Sequence, residues 1–516
     1  MRTKYLLVAI VLLFLFTRLY KITEIPVSLY WDEASIGYNA HSVLTTGKDE
    51  WGEFLPLHFR AFGEFKLPVY IYSVAVTELF VGFNPLAVRL PVVLFSLGVV
   101  ILTFLITLKI TSKNSTSLYA AFLFSICPWT FIFSRTGYEA MAGLMFYLLA
   151  IYLLMLLNRH KIFIFLSAIS FILSMFSYNS FRLISPLTMV VLWVYSAWIW
   201  KIFAKKYLFV GIASLSVCFL SLIPIWRLIS LDNGLSRLQV VSLNTSDGRM
   251  GSFINFSKNY LVHFDPMFLF IKGDPNLRSN LGDQGQIYIA EFLLIIVGLI
   301  SVLKSKKKIL FLPLLIILFS PLPAAMTKEA PHALRAVSAV PFLSILAAIG
   351  LTAIIDLKKL RFKKELWLFA IILPLILFAN YLNNFFTIYP AKSSKDWHYG
   401  YKQIFTQYQD KFKSFDKVII SDQYAQPYIF ALYYQKTDPN TFRSSMSYNS
   451  PDNWGFSTVN RIGNMEFIKI KGLGSLPKGK LLVFSSILDQ IEADPVAHIK
   501  NLDGTIAFYV YEVDKK

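Results

Sequence analysis

A chain of 516 residues that is 55% hydrophobic and 16% aromatic carries more apolar surface than a soluble core can hide, which excludes an ordinary soluble globular fold. Its net charge of +19 comes from 50 Lys and Arg against 31 Asp and Glu. Those bases stand between apolar runs instead of forming one basic face, so they read as topology signals and exclude a nucleic-acid surface. The two cysteines, Cys127 and Cys218, fall inside apolar runs and imply no disulfide framework.

The first apolar run begins behind Arg2 and Lys4, reaches Phe16 and lacks a small-residue cleavage site, which predicts an uncleaved signal anchor. Further runs long enough to cross a bilayer lie near residues 87–108, 116–134, 139–157, 161–177, 184–203, 207–228, 287–303, 309–325, 334–355 and 365–382; with 4–20 they make about eleven spans. Alternate connections carry Lys109 and Lys113, Arg159 and Lys161, Lys201 with Lys205 and Lys206, Lys304 through Lys308, and Lys358 through Lys364. Together with Arg2 and Lys4 they put that side, and the N-terminus, in the cytoplasm of a plasma-membrane protein. Residues 67–83, "LPVYIYSVAVTELFVGF", are apolar enough for one more span, but counting it would turn every later lysine-rich loop outward. They are read as a helix lying in the outer interface or re-entering it.

The expected architecture is therefore an α-helical polytopic membrane domain over residues 1–384, with interfacial helices in a first outer loop at about 20–86 and a large outer loop at about 230–286. Beyond Asn383 the composition turns polar. "DKVIISD", "KLLVFSS" and "TIAFYVYEV" read as strands, and "GYKQIFTQYQDKF" and "QPYIFALYYQK" as helices, predicting a small α/β domain over residues 385–516. Span parity places it outside the cytoplasm.

Ionisable residues near the outer helix ends are the candidates for function, because charge at membrane depth is costly. "YWDEASIGYNA" presents Asp32 and Glu33, adjacent and so facing different ways on a helix that ends at Gly47. Asp32 could simply cap that helix, or act as a base while Glu33 supports the loop. "SRTGYEA" sets Arg135 and Glu139 four apart, as an ion pair or as a further acid facing the first outer loop. "SYNSFRL" does the same for Tyr178 and Arg182. In "KEAPHALRA", Pro331 is expected to open a helix whose first turn carries His332 and Arg335, and Lys66 in "GEFKLPVYIY" adds another cation. Acids with several cations at the outer leaflet suit an anionic lipid headgroup and a base.

These motifs resemble the lipid-carrier-dependent glycosyltransferases of the C-type superfamily, typified by protein O-mannosyltransferases and aminoarabinose transferases. The resemblance rests on "WDEASIGYNA", "GEFKLPVYIY" followed by "NPLAVRLP", "SRTGYEA" and "PHALRA", and covers the membrane domain. It implies a C-type glycosyltransferase fold and a hexosyl- or pentosyltransferase, mannosyltransferase-like. Such an enzyme moves a sugar with inversion from a polyprenyl- or dolichyl-phosphate donor to a protein, lipid or glycan acceptor on the extracytoplasmic face, in a lipid bilayer.

Asp32 matches the family's general base and Glu139 its second acid. Lys66 matches the lysine that meets the lipid phosphate, although Leu67 here separates it from the proline, and Arg135 and Arg335 are looser matches. The candidate site is thus Asp32, Glu33 and Glu139 for catalysis, with Lys66, Arg135, Tyr178, Arg182, His332 and Arg335 for the donor phosphate. A sugar phosphate has a good leaving group, so cations and one base are enough, unlike the paired acids of glycosidases. Clustered acids could hold a divalent cation, but no ligand set is visible. A lipid-linked sugar transporter or flippase, and a non-enzymatic membrane receptor, are the alternatives.

Overall fold

The computed structural model describes residues 2–62, 64–157, 159–200, 248–357, 361–450, 458–489 and 491–516, with scattered positions between 212 and 226. The expected span at 207–228 lies largely outside the described residues, as does residue stretch 230–247 of the second outer loop. Two compact units divide the chain: Met1–Tyr20 with Val92–Asn384, and Lys21–Pro91 with Phe385–Lys516.

Four described helical stretches are long and apolar enough to cross a membrane: Pro85–Thr111, Lys308–Ala325, Val337–Ile355 and Lys363–Thr387. Shorter apolar helices at Ala140–Leu154, Ile162–Met175, Asn179–Leu192 and Ile289–Leu303 follow other expected spans. With the composition, these helices make the chain an integral membrane protein. Lipid gives apolar helices no hydrophobic drive to associate, so close crossings depend on small residues. Helices Phe292–Leu303 and Val340–Ile355 meet through Gly298 and Gly350, where an added Cβ would collide with the carbonyl oxygens of Leu346 and Leu294. Gly143, in helix Ala140–Leu154, lies under the ring of Phe181, which a Cβ would approach to 2.5 Å. Phe181 is in the first turn of helix Asn179–Trp200, so the two helices start side by side.

Pro331 does not open a helix. Residues 331–336 form turns, a 3-10 turn follows at Val337–Ala339, and the helix begins at Val340. Other partners take the backbone groups that a helix would need. His332 N donates to His263 Nε2 (3.1 Å), Ala333 N to Asp274 Oδ2 (2.8 Å), and Trp129 Nε1 donates to the Ala333 carbonyl (2.9 Å). Asp274 therefore orders this turn.

In the second unit, β1 (Phe59–Ala61) and β2 (Glu64–Lys66) form an antiparallel hairpin that sets Lys66 opposite Phe59. Pro68 then opens helix Pro68–Val81, where its missing N–H costs nothing, and Gly82 ends it at φ 76°. The remaining strands are β3 (Lys417–Ser421), β4 (Met446–Tyr448), β5 (Val459–Ile462), β6 (Met465–Ile468), β7 (Gly479–Ser486), β8 (Ala497–Lys500) and β9 (Ile506–Lys515). They form one sheet in the order β4-β5-β6-β3-β7-β9-β8. β3 runs parallel to both β6 and β7, and the other pairs are antiparallel. Covered on both faces, β3 reads as the continuous apolar run Val418, Ile419, Ile420, all fully buried.

Residues Lys21–Pro91 are tied to this sheet domain. Helix Trp31–Thr46 presses on helix Pro427–Tyr434 at Gly37, where a Cβ would stand 2.6 Å from the Tyr433 ring. Tyr38 Oη donates to the Thr437 carbonyl (3.1 Å), Arg443 Nη1 to Ser42 Oγ (3.1 Å) and the Asp49 carbonyl (2.9 Å), and Lys402 Nζ to the Val27 carbonyl (2.8 Å).

Candidate active site

Helix Trp31–Thr46 places the two adjacent acids. Tyr30, with extended backbone, is the N-cap, and Gly47 ends the helix in the left-handed region at φ 69°. Asp32 is not the cap. Glu33 performs that task, its Oε2 accepting from Tyr30 N at 3.3 Å. Glu33 is fully buried, and Arg89 grips it with Nε on Oε1 at 2.9 Å and Nη2 on Oε2 at 3.1 Å. The same guanidinium donates to the carbonyls of Ile22 (2.8 Å), Pro26 (3.1 Å) and Ser28 (2.8 Å). One buried arginine thus fixes both the acid and the loop leading to it.

One position earlier, Asp32 points elsewhere. Its side chain is 22% exposed and accepts from Lys66 Nζ at 2.5 Å. Lys66, on β2, is itself buried. Trp31 stacks on His398, with ring centroids 5.1 Å apart, and Tyr30 meets Trp397 edge-on at 5.5 Å. The two residues that precede Asp32 therefore rest on aromatic rings of the sheet domain. Near Lys66 lies Glu50, fully buried, whose Oε1 accepts from Trp51 Nε1 at 3.1 Å. Burial, and then the neighbouring Asp49, push its carboxyl up to about 8, against the opposing pull of Lys66.

In the first unit, Arg135 is fully buried and faces the end of helix Arg2–Leu19. Its Nη1 donates to the carbonyls of Thr17 (2.6 Å) and Arg18 (2.9 Å), and its Nη2 to that of Tyr20 (2.7 Å). These are the carbonyls that a helix C-terminus leaves unpaired, and a cation is favoured there. Glu139, partly exposed, stands at the N-cap position of helix Ala140–Leu154 but makes no side-chain cap hydrogen bond. Tyr178 immediately precedes helix Asn179–Trp200, and Arg182 sits in its first turn. Since Gly143 packs on Phe181, Glu139, Tyr178 and Arg182 share one end of this helix pair. Arg182 Nε and Nη2 are buried and have no hydrogen-bond partner among the described residues. That is costly unless an anion completes the site.

His332 and Arg335 come together by a different route from the expected helical face. Their turn brings both toward Glu329, with His332 Nε2 at 3.9 Å and Arg335 Nη2 at 3.7 Å, while Arg335 Nη1 donates to Thr327 Oγ1 at 2.7 Å. Beneath the turn, His263 Nδ1 faces the Asn259 carbonyl at 2.7 Å, leaving Nε2 to accept from His332 N. Burial lowers the His263 pKa and raises that of Asp274, the two side chains that hold the turn.

Arg89 and Glu50 were not expected as site residues. Arg89 lies within the quoted "NPLAVRLP", where an arginine between apolar residues signals a buried partner. Glu50 lies in "KDEWGE", whose acids look solvated in sequence. No group of three or more His, Cys, Asp or Glu among the described residues is arranged to hold a metal ion. Asp32 and Glu33 face protein cations instead, Lys66 and Arg89.

No protein-family model matches the sequence, and no curated protein matches it significantly. The fold does match solved structures. ArnT from Cupriavidus metallidurans bound to undecaprenyl phosphate aligns over 98% of this chain and 97% of its own, with a TM-score of 0.52 and 10% identity. The Archaeoglobus fulgidus oligosaccharyltransferase, tethered to an acceptor peptide containing the NVT sequon, aligns over 84% of this chain with a TM-score of 0.51 and 13% identity. This chain spans 63% of the oligosaccharyltransferase's length. Both are lipid-carrier-dependent C-type glycosyltransferases, the family that the sequence motifs resemble, and at these identities the likeness is one of fold.

Proposed function

We propose that this chain is a membrane glycosyltransferase that moves a sugar from a polyprenyl-phosphate donor to a protein, lipid or glycan acceptor on the extracytoplasmic face. The observation that carries the reading is the Asp32–Lys66 pair, a partly exposed carboxylate at a helix start held by a buried lysine. In the reaction the acceptor oxygen bonds to the anomeric carbon as the bond from that carbon to the phosphate oxygen breaks. The acceptor proton passes to Asp32, and attack opposite the leaving phosphate inverts the centre. No acid is needed for the phosphate, but cations are.

Glu33 and Arg89 are positioning residues, since both are buried and hold the segment that carries Asp32. Arg182 is assigned to the donor phosphate because its buried donors await acceptors, and Tyr178 and Glu139 at the same helix ends serve the donor sugar. His332 and Arg335 supply further positive charge once the weak contacts to exposed Glu329 are exchanged for phosphate. Arg135 supports helix Arg2–Leu19 instead of binding donor.

The test is transfer in proteoliposomes given a polyprenyl-phosphate sugar labelled in the sugar. Label appearing in an acceptor, with unlabelled polyprenyl phosphate released, supports the enzyme. Label that only crosses the bilayer on its carrier supports the transporter instead.

A further inference from the structure

Helix Asn114–Ile126 leads at its C-terminal end, through Pro128–Phe131, to Glu139. Its other end opens on a separate cavity of about 440 Å³ that the proposed reaction does not use. The walls come from four chain segments. They are the end of helix Pro85–Thr111, the start of Asn114–Ile126, the loop after Phe292–Leu303 and the end of Val340–Ile355. The mouth is basic, with Lys113, Lys306 and Lys307. Lys113 pairs with Asp356. Lys306 and Lys307 have no ion-pair partner among the described residues, leaving two uncompensated positive charges at the opening. The hydroxyls of Thr111 and Ser305 also line it, and below them Thr116 and Thr352 bond to each other at 2.8 Å. The remaining wall is aliphatic, from Ile110, Leu310 and Ile349.

A cavity with lysines at the rim, hydroxyls beside them and aliphatic side chains along one wall matches a phospholipid, whose phosphate is anionic, whose glycerol esters are polar and whose acyl chains are apolar. The volume is within the range of small-molecule sites. Basic pockets between transmembrane helices recognise lipid headgroups in this way. Lysines at this end also follow from the rule that sets membrane topology, but that rule asks only for charge near the surface and not for a cavity.

We propose that this cavity binds the headgroup phosphate of an anionic phospholipid, at the end of the helix bundle remote from Glu139. Lys306 and Lys307 neutralise the phosphate, and the aliphatic wall receives the first acyl carbons. A lipid seated there joins four segments at their ends and braces the bundle.

The test uses the full-length protein released from nanodiscs of equal parts phosphatidylglycerol and phosphatidylcholine, with retained lipid read by native mass spectrometry. The wild type is expected to keep phosphatidylglycerol in preference to phosphatidylcholine, and Lys306→Gln with Lys307→Gln to reduce that retention about tenfold or more. A control, Lys161→Gln with Lys364→Gln, removes the same charge outside the cavity and should retain the lipid. Equal retention by the cavity variant, or equal loss in the control, would overturn the site. Glycerol 3-phosphate added to the protein in detergent separates headgroup from free phosphate: binding as tight as that of the lipid would overturn the lipid assignment.

Discussion

Glu33 and Arg89 are joined by two hydrogen bonds, at 2.9 and 3.1 Å, with both side chains fully buried. Removing one member of such a pair strands a charge away from water, at a cost of about 3–5 kcal/mol. Arg89→Ala is therefore expected to lower the thermal unfolding temperature in detergent strongly. Arg89→Lys should rescue little, because an ammonium cannot reproduce the fork that also serves the Ile22, Pro26 and Ser28 carbonyls. Unfolding of Arg89→Lys at the wild-type temperature would remove the positioning role.

Glu50 gives the stability a pH dependence. Its folded pKa, about 8, is above the ordinary 4.5, so the folded chain binds a proton more tightly than the unfolded chain. The stabilisation is fully present below about pH 4.5 and is lost as pH rises through about 8. Glu50→Gln is expected to flatten unfolding temperature against pH across that window, gaining most at the alkaline end. A slope unchanged from wild type would contradict it.

The sheet domain is expected to be required for transfer although it contains none of the proposed catalytic acids. It supports helix Trp31–Thr46 through Gly37 on Tyr433, Tyr38 on Thr437 and Arg443 on Ser42 and Asp49. Arg443→Ala, which lies outside the proposed site, should lower kcat by several-fold with a smaller effect on donor KM, as expected when a base is less well held. An enzyme truncated after Asn384 that kept full transfer would show that this support is dispensable.

Arg182→Gln is expected to act in the opposite way. A charged hydrogen-bonding partner of phosphate contributes about 1.5–3 kcal/mol, so donor KM should rise on the order of 10- to 100-fold. Unfolding temperature should hold or rise, since Nε and Nη2 are buried without partners among the described residues. A marked loss of stability with unchanged KM would make Arg182 structural.

Much of this was legible in sequence where local rules apply. Apolar runs gave the helices, Gly47 its helix end, and the apolar runs of β3, β7 and β9 the middle of the sheet. The short strands β4, β5, β6 and β8 have no such run and were missed. The turn at Pro331 was misread as a helix because its partners, His263 and Asp274, are 69 and 59 residues away. The links from Lys402 to Val27 and from Arg443 to Asp49, 375 and 394 residues apart, have no local signature at all. Among the acids, adjacency alone showed that Asp32 and Glu33 face different ways, but only the position of Arg89 shows which one is turned inward.

The most direct measurement is transfer from a labelled polyprenyl-phosphate sugar by Asp32→Asn in vesicles, with its unfolding temperature recorded alongside. If Asp32 is the base, the variant folds and loses transfer by about 10²- to 10⁴-fold. Transfer at the wild-type rate by folded Asp32→Asn would contradict the central assignment.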